Sequence, residues 1–260
     1  MTARRWLGLH GALVLLFLYL PIAVIVVLSF NESKYGVAWH GFTLKWYAQL
    51  FEHGRVHTYL RNSLVVAATS TAISTVLGTL LALGLARYRF FGRGALLFLL
   101  YVPVVIPDVV MGVSLLLFFA WVRQYVDALH LSLTTVILGH VTFQVAYVTL
   151  VVKSRLAGLD PSLEEAAADL GADGWARFWK ITFPLIWPGV VAAALLAFTL
   201  SLDDFVVTFF TAGPGATTLP IYIFSSVKRG VTPEIHALST LMILVTSLAL
   251  IAVQRVSTRR

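Results

Sequence analysis

From Trp6 to Phe30 the chain carries no Asp, Glu, Lys or Arg, and five later stretches of similar length are almost as free of charge. A helix needs roughly 20 apolar residues to cross the hydrocarbon of a bilayer. In lipid each backbone polar group must be satisfied within its own segment, so runs of this kind fold as helices. About six spans are expected, at 9–30, 62–86, 95–121, 133–152, 188–210 and 235–254. The implied fold is all-α and integral to the membrane, with residues 1–260 forming a single transmembrane domain. Composition agrees, since 59% of residues are hydrophobic and 12% charged, against roughly 25% charged in soluble domains.

The formal charge of +7 could suggest nucleic acid, but the Lys and Arg residues lie in short clusters between apolar runs. That is the arrangement of membrane-flanking anchors, so lipid and not nucleic acid is the expected contact. Twelve of them flank the ends that face inward if the N-terminus is cytoplasmic, and seven flank the others. The bias predicts that both termini lie in the cytoplasm. The first run follows Arg4 and Arg5, as in a secretory signal. It is longer than an h-region of roughly 7–15 residues and no small-x-small site follows it, so a retained span is expected. There is no cysteine, which excludes disulfides and thiolate metal sites. The outer segment 31–61 holds Trp39, Trp46 and Tyr47, which suits an interfacial position. In the second span Ser70, Ser74 and Gly78 recur every four residues, a stripe of small residues for close helix packing within the chain or at a subunit seam.

The segment from Lys153 to about Trp187 is too polar to span and too well patterned for a linker. Asp160-Pro161-Ser162-Leu163-Glu164-Glu165 reads as a helix start, with a capping residue, a proline in the first turn and acids near the positive end of the dipole. Ala166, Ala167, Ala168 and Leu170 continue the helix and Gly171 ends it. A second short amphipathic segment, Trp175 to Ile181, precedes Pro184 and Pro188. The result is a two-helix elbow that docks on a partner or lies in the headgroups.

Glu165-Ala166-Ala167, then Gly171, Ile181, Phe183 and Pro184 at their spacing, resembles the EAA loop of binding-protein-dependent ABC importer permeases. The one departure is Phe183 where the family pattern has Leu. Ser29-Phe30-Asn31, Gly41-Phe42-Thr43, Lys45-Trp46-Tyr47, Pro107-Asp108-Val109-Val110, Ser201-Leu202-Asp203-Asp204 and Pro233-Glu234-Ile235 extend the likeness to the second permease of spermidine/putrescine importers. The resemblance implies a type I importer permease fold and a place in the bacterial inner membrane. It implies as partners an ATP-binding subunit dimer, a second permease forming a heterodimer, and a periplasmic or extracellular solute-binding protein. It also implies that Glu165, Ala166, Ala167, Gly171, Ile181 and Pro184 couple the membrane helices to the ATPase.

Ionisable residues within a bilayer cost about 2.5–3.5 kcal/mol on insertion scales and mark function. The predicted spans contain three, all acids: Asp108, Asp203 and Asp204. No Lys or Arg in a span compensates them, so a passing cation is the simplest partner. Counted at 1.5 Å per residue from residues 95 and 188, they lie roughly 20 Å and 23–24 Å from the inner side. Ser201 shares a helix face with Asp204, while Asp203 and Asp204 point about 100° apart, so one of them faces the pathway and the other serves packing or a partner. Each acid has a structural alternative, capping a broken helix or bonding a neighbour. Trp46 adds an aromatic face for an ammonium group. Asp108, Ser201, Asp203, Asp204 and Trp46 are therefore the expected cargo contacts.

The chain lacks Gly-x4-Gly-Lys-Ser/Thr and any Gly-x-Ser-x-Gly elbow, so it is expected to be no enzyme and to need no cofactor. His53 and His57 lack a third ligand, and no metal is expected. Two other readings compete with a polyamine importer. One is an ion-coupled carrier or channel with the acids as a relay. The other is an intramembrane enzyme using Asp203 and Asp204, whose divergence is poor geometry for shared chemistry.

Overall fold

The computed structural model describes residues 2–33, 38–52, 54–126, 129–160 and 162–258, with side chains described between 6 and 248. Lys34, His53, Pro161, Arg259 and Arg260 lie outside the described residues, and so do the side chains of Arg4, Arg5 and Arg255. Among the described residues the chain is helical and has no strand. Helix α1 is Thr2–Leu28, α2 Lys45–Glu52, α3 Gly54–Arg87, α4 Arg93–Val105, α5 Asp108–Val122 and α6 Leu133–Ala157. Then come α7 Ser162–Asp169, α8 Gly174–Arg177, a π-helical turn Phe178–Thr182, α9 Phe183–Asp203, α10 Val206–Thr211, α11 Leu219–Arg229 and α12 Pro233–Thr258.

Four helices are long and apolar enough to cross a membrane: Trp6–Leu28, Gly54–Arg87, Leu133–Ala157 and Gly174–Asp203. The pair α4 and α5 is a fifth candidate, bent by 111°, and Pro233–Leu248 is a shorter apolar helix. All six expected stretches are thus helical, but two are broken. The expected continuous span 95–121 fails at Ile106-Pro107, where Ile106 is extended with ψ 135°. Proline has no N–H to donate and disfavours helical backbone in the residue before it. The expected span 188–210 fails at Asp204, which is extended with ψ 124°. The depths counted along straight helices therefore do not locate the three acids.

The fifth helix also begins earlier than expected, because α8, the π turn and α9 follow one another without a gap. The second elbow helix is the start of the span. In the π turn the N–H of Phe183 reaches back to the carbonyl of Phe178, five residues away. The wide turn makes room for Pro184, whose ring would crowd the carbonyl four residues back in a regular helix.

By backbone contacts the chain divides into two compact units, residues 1–58 with 222–252, and residues 59–221 with 253–260. In the first, α1 buries nothing along its apolar window, as a lipid-facing helix does. Asn31 organises the segment after it, donating from its side chain to Ala38 O at 2.8 Å and accepting from the N–H of His40 at 3.0 Å. In the second unit, Ala82 on α3, Val148 and Val152 on α6, and Ile186, Val190, Ala193 and Ala197 on α9 form one buried cluster. The small-residue stripe serves this packing. Ser70 and Ser74 are fully buried, and a Cβ on Gly78 would come 2.7 Å from Val148 Cβ. Contact within the chain is thus one use of the stripe.

Candidate functional site

The two helix breaks open on one cavity of about 330 Å³, lined by Asp108, Asp203 and Asp204 together with Phe143, Tyr147 and Phe205 among others. Asp108 opens α5 immediately after Pro107. Its side chain is exposed and has no hydrogen bond or ion pair with a described residue. Asp203, the last residue of α9, is likewise exposed and unpartnered among the described residues.

Asp204 is different. Its carboxylate accepts from the N–H of Thr208 at 2.7 Å, the hydroxyl of Thr208 at 2.7 Å and the N–H of Val207 at 3.3 Å. It therefore satisfies the free N–H groups at the start of α10. His140 Nε2 lies 3.3 Å from the same carboxylate and 2.9 Å from Thr208 Oγ1. The adjacent carboxylates have thus separated into a cap and a free acid.

Ser201 does not line the cavity. It is buried, with its hydroxyl 2.6 Å from His140 Nδ1 and 3.3 Å from Ser70 Oγ. One turn along, Gln144 accepts from Ser74 Oγ at 3.1 Å and donates to Ala197 O at 3.0 Å. Polar side chains on α3, α6 and α9 are matched turn for turn, which is how buried polar groups avoid the penalty of an unpaired donor. Sequence reasoning missed His140 and Gln144. The available signal was their spacing of four on α6, which puts both on one face. Trp46 is buried at 5% exposure, and its indole N–H donates to Asn31 O at 2.7 Å. Its ring face already holds an ammonium, with Lys45 Nζ 4.6 Å from the ring centroid.

The elbow is built by local rules. Asp160 accepts from the N–H of Ser162 at 3.0 Å, and hydrogen bonds from the Ser162 backbone and side chain hold its carboxyl below the usual carboxylate range. Helix α7 ends in a reversed turn, with the N–H of Ala172 bonded to Ala167 O and that of Gly171 to Ala168 O. Gly171 has φ +84°, a conformation that favours glycine. Glu165 and Ala166 are exposed and Ala167 is buried. Ile181 is half-buried within the π turn and Pro184 is exposed. Glu164, which the motif does not include, pairs with Arg87 at the end of α3.

Comparison with known proteins agrees with this architecture. The family described as binding-protein-dependent transport system inner membrane component matches residues 74–260. The putrescine transport system permease protein PotI of Escherichia coli is 45% identical over 87% of this chain and 82% of its own length. The spermidine/putrescine transport system permease protein PotC of Haemophilus influenzae is 43% identical over 94% of this chain and 93% of its own. A putative 2-aminoethylphosphonate transport system permease protein, PhnV of Salmonella paratyphi A, is 30% identical over 96% and 92%. Among solved structures, a bacterial ABC transporter that imports the acidic polysaccharide alginate aligns with a TM-score of 0.75 at 20% identity, covering 99% of this chain and 96% of that one. At that identity the likeness speaks for the fold alone.

Proposed function

We propose a function from one premise: this chain belongs to the family of binding-protein-dependent transport system inner membrane components. It is a multi-pass, non-enzymatic permease subunit of an ABC importer. On our reading its cargo is a polyamine of the putrescine or spermidine class.

The observation that carries this is the cavity in which Asp108 and Asp203 stand free beside Phe143 and Tyr147. Two uncommitted carboxylates suit two ammonium groups, and aromatic faces attract a passing ammonium. The relatives at 43–45% identity carry polyamine names, whereas the one at 30% is named for an aminophosphonate. Free carboxylates would repel a phosphonate, so the same cavity favours the polyamine. Asp204 and Ser201 support this site by holding the break between α9 and α10.

A solute-binding protein delivers the cargo. An ATP-binding subunit dimer receives the elbow through Glu165, Ala166, Ala167, Gly171, Ile181 and Pro184. A second, non-identical permease completes the pathway. Both termini are cytoplasmic, with the elbow on the same side, as the Lys and Arg bias favours.

The test is uptake of labelled putrescine into liposomes that hold the assembled importer and enclose ATP. Uptake is expected to need ATP and the binding protein, and Asp203→Asn is expected to raise the half-saturating concentration about tenfold. Uptake driven by a proton gradient without ATP would overturn this reading and restore the ion-coupled carrier, which leaves the elbow without a role.

A further inference from the structure

We propose that Arg87 is a positioning residue for energy coupling, locking the elbow helix α7 to two membrane helices at once. The inference rests on the ATP-driven reading above. Arg87 is the last residue of α3. One guanidinium nitrogen donates both to the Glu164 carboxylate on α7 and, at 2.7 Å, to Thr182 Oγ1. Thr182 closes the π turn that leads into α9, and its hydroxyl donates to the same Glu164 oxygen. The three side chains form a closed ring of hydrogen bonds between α3, α7 and the root of α9. The end of α3 is fixed from the other side as well, because Arg93 donates to Leu85 O at 3.1 and 3.0 Å.

Glu164 and Glu165 are neighbours on a helix and point about 100° apart. The exposed Glu165 is free for a partner, while Glu164 is turned inward onto Arg87. One acid therefore faces the source of force and the other faces the helices that must move. The Arg87–Glu164 pair is about one-third exposed, and such pairs contribute little to global stability. Thr182 is fully buried, so a polar side chain is held in the packed junction for the ring it completes. Charge-assisted bonds are the stronger and more directional kind, which suits a joint that must not slip.

The test is the ratio of cargo moved to ATP hydrolysed by the assembled importer in liposomes. Arg87→Ala and Glu164→Ala are each expected to lower the ratio about tenfold while hydrolysis continues. Thr182→Val keeps the buried volume and is expected to lower it several-fold. Exchanging the charges, Arg87→Glu with Glu164→Arg, is expected to restore most of the loss. A wild-type ratio in all three single variants, or an exchanged pair no better than its single changes, overturns the proposal. A wild-type importer that takes up cargo equally well without ATP removes the ATP-driven reading itself, and this proposal with it, so the two failures are distinguishable.

Discussion

The apolar helices of this protein break at Ile106-Pro107 and at Asp204-Phe205, and the two breaks use different chemistry. At the first, proline withholds an N–H and no side chain caps the helix that follows. Asp108, next in line, stays uncommitted at the positive end of α5. At the second no proline intervenes, and the chain satisfies α10 with Asp204 itself, supported by Thr208 and His140. A break made by proline leaves its neighbouring acid exposed and without a partner among the described residues. A break made by a carboxylate occupies that acid with hydrogen bonds, and the exposed acid beside it is Asp203. The segments after the breaks also meet, for a Cβ on Gly112 of α5 would come 2.6 Å from Phe210 Cδ2 of α10.

Substitutions can break this contrast or sharpen it. The largest effect is expected from Asp204→Ala, which removes a cap worth about 1 kcal/mol and strands buried partners at about 1–3 kcal/mol more. Unfolding in detergent should show a loss of about 2–4 kcal/mol. If the variant unfolds like wild type yet fails to transport, Asp204 is a cargo ligand and the contrast is gone. Gly112→Ala comes next, since overpacking costs about 1–3 kcal/mol. Unchanged stability there would mean that the two half-helices do not rely on their close approach. Asp203→Asn and Asp108→Asn should change stability least, within about 0.5 kcal/mol, while both weaken transport at low cargo concentration. Equal destabilisation by Asp203→Asn and Asp204→Ala would show that both acids are structural.

The first helix of the elbow was the more legible part of the chain, whereas the second belongs to the span that follows. The helix start, the reversed turn at Gly171 and the spacing before Pro184 each depend on residues within a few positions of one another. The spans were legible in number because backbone satisfaction in lipid demands long apolar runs. Weakening beside Asp108 is legible from Pro103 and Pro107, although 95–121 reads as one span, whereas the break within 188–210 is not. At Pro107 the local signal is the proline itself; at Asp204 it is only the acid, for which capping a broken helix is one of the expected roles.

The sequence alone determined that this chain spans a membrane, carries an elbow between its apolar segments and places acids among them, since hydropathy and capping are local properties. Only the tertiary structure decided which acids are free. His140 and Thr208 are 68 residues apart, and Arg87 and Thr182 are 95 apart. A carboxylate's role depends on which donors reach it first, and those donors arrive from helices that only folding brings together.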